Sequence, residues 1–228
     1  MVGFRLSTFG AHRSSCLWLL TGLRTGGPGG PGEHLAQGAC ESANPFLDAR
    51  LRHVEQEVRP EADTVYSLAL APKGFKLPAF HPGQVAWLPV RSSPFSMRRW
   101  PFSISSSAEN HKRVEFAIKE LGDFTKTVKN LKRGETVYVD GPFGSYDITH
   151  PSVKGIVLLA GGIGIAPAIS IIRTLRDRQD KRPLYLFFGS HVVEHLTFDR
   201  EIRANPTVKY VPVVETPELA ELSTELPD

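Results

Sequence analysis

Cysteine is scarce: the 228 residues hold two, Cys16 and Cys40. Two cysteines supply neither a disulfide framework nor a paired-cysteine metal site, so no metal is expected and a reducing compartment is the natural expectation. A bias of charge is also missing. Lys and Arg total 27 against 24 Asp and Glu, a formal net charge of +3 with the signs interspersed, which gives no basic block of the kind nucleic acid requires. Long apolar runs are absent too. The early CLWLL at 16–20 is far shorter than the eighteen or more residues that cross a bilayer, so the chain as given is expected to be soluble, in the cytoplasm or on the cytoplasmic face of a membrane. Finally, residues 1–32 contain Arg5, Arg13 and Arg24 but no Asp or Glu, followed by the run GGPGGPG at 26–32. An acid-free arginine-bearing start fits a mitochondrial presequence, and the glycine-proline run fits a flexible linker equally well. Residues 1–49 are therefore expected to be a flexible or targeting segment.

What is present begins at Arg50. LRHVEQEV, TVYSLALA, QVAWLPV, PFSISS, VEFAIKE and TVYVDGPFG are short, alternating or β-rich segments separated by turn-forming clusters. They predict an antiparallel six-stranded β-barrel over 50–150. One helical stretch, FTKTVKNL at 124–131, interrupts them, with Phe124, Val128 and Leu131 at helical spacing. After Pro151 the texture changes to GIVLLA, a helix from about Ala166 to Arg178, LYLFFG, a shorter helix around Thr197–Arg203, and VKYVPVV. Apolar strands alternating with helices predict a parallel-sheet α/β domain over 151–228.

Three stretches carry chemistry. In VLLAGGIGIAPAISIIRTL an apolar strand runs into Gly161, Gly162 and Gly164 and then into a helix opened by Ile165, Ala166 and Pro167. Glycines allow a tight turn, and the free amides of a helix start attract an anion, so this is a candidate phosphate cradle or a plain packing turn. In KELGDFTKTVKNL, Gly122, Asp123, Phe124 and Thr125 open a helix whose hydroxyl could cap it or meet a phosphate. In RRWPFSISSS, residues 98–107, alternation sends Phe102 and Ile104 to one side and Pro101, Ser103 and Ser105 to the other. That strand either borders a flat ring or has Phe102 in the core and serines on a wet face.

In their order along the chain, FHPGQVAWL, WPFSISSS, VEFAIKELGDFTKTV, VDGPFGSY, VLLAGGIGIAPAISII and LYLFFGSHVVEHLTFDREI resemble the ferredoxin-NADP reductase superfamily. The likeness is strongest to the flavin- and pyridine-nucleotide-binding module of ferric reductases, NADPH oxidases and bacterial ferredoxin-reductase-like proteins, and it spans roughly residues 50–215. The resemblance implies FAD held by the barrel, with Pro101, Phe102 and Ile104 along the flavin, Ser103 near its reacting N5 position as the catalytic contact, and Gly122, Asp123, Phe124 and Thr125 at its pyrophosphate. It implies NADH or NADPH on Gly161, Gly162, Gly164, Ile165, Ala166 and Pro167, with Gly189, Ser190 and His191 near the adenosine ribose. Electrons would then pass to a haem, iron or other one-electron acceptor, carried by a partner or by a haem-bearing membrane domain.

The departures from that pattern define further expectations. Relatives carry Arg or His immediately before the proline of the flavin strand, where this chain has Trp100; Arg98 or Arg99 would have to supply the cation. His191 stands where many relatives have an arginine suited to a 2′-phosphate, which leaves NADH and NADPH equally open. Relatives continue beyond the strand VKYVPVV with a cysteine-bearing segment near the nicotinamide. The nucleotide domain is therefore expected to be incomplete, with the GIVLLA strand left as an open edge or completed by a partner. An alternative follows: a truncated, non-catalytic flavin- or nucleotide-binding or regulatory protein. Single-strand nucleic-acid binding by the barrel is a weaker third reading, since the aromatics serve better as core and flavin wall.

Overall fold

A computed structural model describes residues 5–8, 17–21, 52–72, 77–88, 100–133, 135, 137–144, 148 and 153–215, with backbone alone for 5–8, 17–21 and 52–56. The N-terminal stretch contributes two strands, β1 (Arg5–Thr8) and β2 (Leu17–Thr21). Next come β3 (Arg52–Ala62), β4 (Val65–Pro72), β5 (Val85–Leu88), β6 (Trp100–Ser103) and β7 (Val114–Lys119). The helix α1 (Asp123–Val128) and strands β8 (Val137–Tyr138) and β9 (Asp140–Phe143) complete the first unit.

Two antiparallel sheets, ordered β7-β4-β3-β8 and β6-β5-β9, form this unit and meet through the bridge Ile104–Phe116. Leu68, Leu70, Leu88, Ile104, Phe116 and Ile118 are buried between them. Closure of the expected six-stranded barrel is not seen among the described residues, where seven strands form these two sheets. The extra strand arises because TVYVDGPFG changes sheets midway, β8 pairing with β3 and β9 with β5. Gly141 makes that crossing possible. A Cβ there would sit 3.0 Å from the Cβ of Ala86, and its φ of +147° is one that side chains rarely adopt.

The second unit contains β10 (Ile156–Gly161), a 3-10 turn at Gly162–Gly164, α2 (Ile165–Asp177), β11 (Leu184–Ser190), α3 (Asp199–Arg203) and β12 (Val208–Val214). Strands β10, β11 and β12 are parallel neighbours, as expected for strands joined by helical crossovers. Helix α2 lies over Leu158, Leu186 and Phe188 with nearly its whole length buried. Helix α3 begins later than its pattern predicts, because Phe198 is buried in the left-handed region (φ 64°) and ends the preceding turn.

The open edge expected at GIVLLA is also corrected. Strand β2 pairs antiparallel with β10 from Ile156↔Thr21 to Ala160↔Leu17, and β1 pairs outside it, giving the sheet order β1-β2-β10-β11-β12. Part of the 1–49 stretch is therefore ordered sheet, because an apolar, unpaired edge offers main-chain donors and acceptors to any compatible strand. Among the described residues, no helix is long and apolar enough to cross a membrane.

The two units meet along β7 and α2. Phe116 and Ile118 face the first core, while Ala117, of opposite parity, joins the core of the second. Glu115, also on that face and 4% exposed, accepts Arg173 of α2 at 3.1 Å and pairs with Arg113 at 2.8 Å and Arg59 at 3.3 Å. Arg173 also donates to the Ser105 carbonyl at 2.9 Å and grips Glu201 of α3 through two bonds of 2.8 and 2.6 Å.

Candidate active site

Strand β6 and helix α1 come together. The rings of Trp100 and Phe124 stack at 3.8 Å and 8°, and Phe102 lies 6.0 Å from Phe124 at a tilt of 30°. Pro101 is exposed and Ser103 half-buried, whereas Ile104 is in the core, so its side chain is spent on packing and its amide on the Gln84 carbonyl. At the start of α1 the Thr125 hydroxyl accepts from the amides of Leu121 (2.8 Å) and Gly122 (3.0 Å) and donates to the Gly122 carbonyl (2.9 Å). Capping thus fixes the turn. Gly122 and Asp123 remain exposed, and a Cβ built on Gly122 meets nothing within 4 Å, so the turn is open to a ligand backbone. Arg98 and Arg99 lie outside the described residues.

The second cradle sits at the carboxyl ends of the parallel strands, the usual ligand edge of such sheets. Gly161 and Gly189 are register partners on β10 and β11, which leaves a smooth floor at their ends. Gly162 takes φ +52°, the left-handed turn its lack of a Cβ permits, and hands the chain to α2. Ile165, Ala166 and Pro167 are buried, so they offer a ligand only backbone; Pro167 is the third helical residue, where a missing amide costs no helical bond. Ser190 is half-buried and His191 exposed, with Nδ1 of His191 2.5 Å from the Glu215 carboxylate.

The serines beyond Ser103 are not a wet face. Ser105, Ser106 and Ser107 are 0, 2 and 5% exposed, because this segment docks on α2. The Ser170 hydroxyl donates to the Ser106 carbonyl at 2.7 Å, and the Ala108 amide donates to Thr174 Oγ1 at 2.9 Å. The strand bearing Ser103 and the helix springing from the glycine turn are thus bonded to each other directly. The sequence reading missed Glu115, Arg173, Ser170 and Thr174, although a lone Glu inside the apolar VEFAIK was a readable signal. Burial works against ionising Glu201, but the bonds and charge of Arg173 outweigh it and hold the Glu201 carboxyl below its ordinary range.

Both cradles fit dinucleotides. Two aromatic side chains beside an open helix start suit a flat ring with a pyrophosphate tail, and a glycine turn at strand ends suits a second pyrophosphate. The oxidoreductase NAD-binding domain family matches residues 158–221. The propane 2-monooxygenase reductase component of Mycolicibacterium smegmatis is 29% identical over 161 residues, 69% of this chain and 45% of that protein. The electron transfer subunit of dihydroorotate dehydrogenase B from Listeria innocua is 35% identical over 119 residues, 51% of this chain and 46% of that protein. The chain thus spans less than half the length of these two relatives. Phthalate dioxygenase reductase, described as a modular structure for electron transfer from pyridine nucleotides to a 2Fe-2S centre, superposes with a TM-score of 0.63 at 24% identity over 75% of this chain and 54% of that one. The domain match covers the second unit, and the structural likeness shows that the chain shares the two-unit fold of this reductase.

Proposed function

We propose that this protein is an FAD-dependent oxidoreductase module that takes electrons from NADH or NADPH and passes them singly to an iron, haem or other one-electron acceptor on a partner. The observation that carries this reading is the hydrogen-bonded seam between the Ser105–Ala108 segment and α2, which joins the proposed flavin strand to the proposed nucleotide turn. Hydride transfer needs two rings in contact, so a rigid link between their cradles is the property the reaction demands. Bound flavin would supply the two-electron to one-electron conversion. Phe102 would form a wall for its ring, Ser103 would offer a hydroxyl to its reacting edge, and the Gly122–Thr125 turn would hold its pyrophosphate. The Gly161–Gly164 turn would hold the dinucleotide through backbone amides, while the packed Arg173 seam keeps water and misalignment out of the interface. The relatives named as reductase components or electron transfer subunits support delivery to a separate acceptor.

The test is the visible spectrum of the purified chain after reconstitution with FAD, followed by anaerobic addition of NADH or NADPH. Flavin absorbance that bleaches is the expected result; flavin that binds without bleaching would leave a non-catalytic binder, and no flavin binding would sink the reading.

Trp100 sets the affinity of that site. Its ring stacks on Phe124 beside the α1 turn and brings no charge to a pyrophosphate. Replacing Trp100 by Arg should tighten FAD by about tenfold, the scale of one charge-assisted hydrogen bond of roughly 1.5–3 kcal/mol less the lost stacking. Fluorescence titration measures it, and an unchanged dissociation constant would refute the role given to Trp100.

A further inference from the structure

Gln84 is a buried polar residue outside those assigned to a cofactor above. It lies just before β5, the middle strand of the β6-β5-β9 sheet, and is 9% exposed. Its carboxamide oxygen accepts from the His81 amide at 2.7 Å, and its nitrogen donates to the carbonyl of Gly144, the residue after β9, at 2.5 Å. Its backbone carbonyl accepts at 2.9 Å from the amide of Ile104, the residue after Ser103 and the end of β6. One residue thus pins all three strands at the edge that carries Ser103. Burying a carboxamide is favourable only where its oxygen and nitrogen both find partners, and here they do. Glutamate would bring no donor to Gly144, and methionine, of similar length, has only a weakly accepting sulfur. The adjoining Gly83 amide donates to Ser170 Oγ of α2 at 3.4 Å, and the same hydroxyl donates to the Ser106 carbonyl at 2.7 Å. The loop 81–84, the segment after Ser103 and the helix springing from the glycine turn therefore share one buried hydroxyl.

Hydride transfer is sensitive to placement: a shift of about 1 Å caused by a change away from the reacting atoms can cost on the order of a hundredfold in rate. A residue that holds Ser103 in register with α2 acts on that placement through its neighbours. We propose that Gln84 is a positioning residue for flavin reduction, holding the Ser103 end of β6 against the helix of the nucleotide turn. The proposal rests on the function proposed above, and the test separates the two. Gln84→Met in the full chain removes both side-chain bonds at nearly constant length. After reconstitution with FAD, stopped-flow bleaching at saturating NADH or NADPH should slow by about tenfold or more, while the FAD dissociation constant from fluorescence titration moves by about threefold or less. Hydrogen exchange of the flavin-free variant should show the amides of 103–107 opening about tenfold more often, with those of β10 unchanged. Gln84→Glu keeps the acceptor for His81 and gives up only the donor to Gly144. It should show the same split at about threefold, and it carries the test where Gln84→Met does not fold. A rate loss matched by an equal loss of FAD affinity makes Gln84 part of the general packing and overturns the proposal, as does an unchanged rate or unchanged exchange at 103–107. A native chain that binds FAD but is bleached by neither dinucleotide overturns the proposed function, and this proposal with it.

Discussion

Replacing Arg173 by alanine should destabilise the protein by about 3 kcal/mol and lower its Tm by roughly 10 °C. The side chain is 11% exposed and ties three parts of the molecule together: Glu115 on β7, the Ser105 carbonyl beyond β6, and Glu201 on α3. Its guanidinium also lies 5.1 Å from the ring centre of Phe198, the residue held in the left-handed region before α3. Breaking a buried pair costs about 3–5 kcal/mol, because the remaining charge is left without compensation. Here the lower end applies, since Glu115 keeps Arg113 and Arg59 and Glu201 is partly solvated. Arg178→Ala is the natural control. It breaks a second ion pair between the two units, Arg178–Glu109 at 2.7 Å, but both partners are about 35–40% exposed, so at most about 1 kcal/mol is expected. Arg173→Lys keeps the charge but not the fork, and should fall between.

The same residue predicts a pH signature. Glu201 has a folded-state pKa below its unfolded value, so its contribution is present above the ordinary glutamate range near 4.3 and is lost as pH falls through the folded pKa. Removing Arg173 removes the interaction that lowers the pKa, so the variant should lose less stability than the native protein over that acid interval. Thermal melts across the acid range measure both effects, and parallel curves would show that Arg173 and Glu201 are not coupled.

Local pattern was enough for the elements that stand alone. The apolar run GIVLLA, the glycine turn and the long buried helix are each decided by residues adjacent in sequence, and the helix expected at 166–178 is found at Ile165–Asp177. That β6 and α1 lie side by side was not legible in either motif and comes from the ring stack of Trp100 on Phe124. What stayed hidden depends on long-range partners. Alternation sends Ser103 and Ser105 to one face, readable as wet, but the second unit covers Ser105, and only the fold brings Ser170 and Arg173 to this segment. Likewise TVYVDGPFG reads as one strand. It becomes two because Gly141 crosses over Ala86, a contact between segments more than fifty residues apart. His191 is visible in sequence as a departure from the family pattern, whereas Glu215 meets it only because β11 and β12 lie side by side.

Deleting residues 1–21 should convert a well-behaved protein into an aggregating one. Strand β2 satisfies the main-chain groups of β10 from Ile156 to Ala160, and β1 covers β2 in turn. Removal would bare the edge of a strand in which Ile156, Leu158 and Ala160 are core residues. Such an edge is straight, apolar and free of the proline, bulge or charge that normally discourages pairing between molecules. The remaining sheet, β10-β11-β12, keeps its parallel pairing and the cover of α2, so the truncated chain should still fold locally while associating through β10. Light scattering coupled to size-exclusion chromatography should show a monodisperse full chain and a concentration-dependent rise in mass for residues 22–228. Substituting Lys for Leu159, a half-buried position on the face opposite the α2 core, tests the route. A charge repeated at every step of an edge-to-edge stack opposes stacking, so this variant of the truncated chain should regain part of the monomer population. A truncated chain that remains monomeric, with the Tm of the full chain, would mean that β2 adds nothing to β10 and that the edge is protected by some other segment.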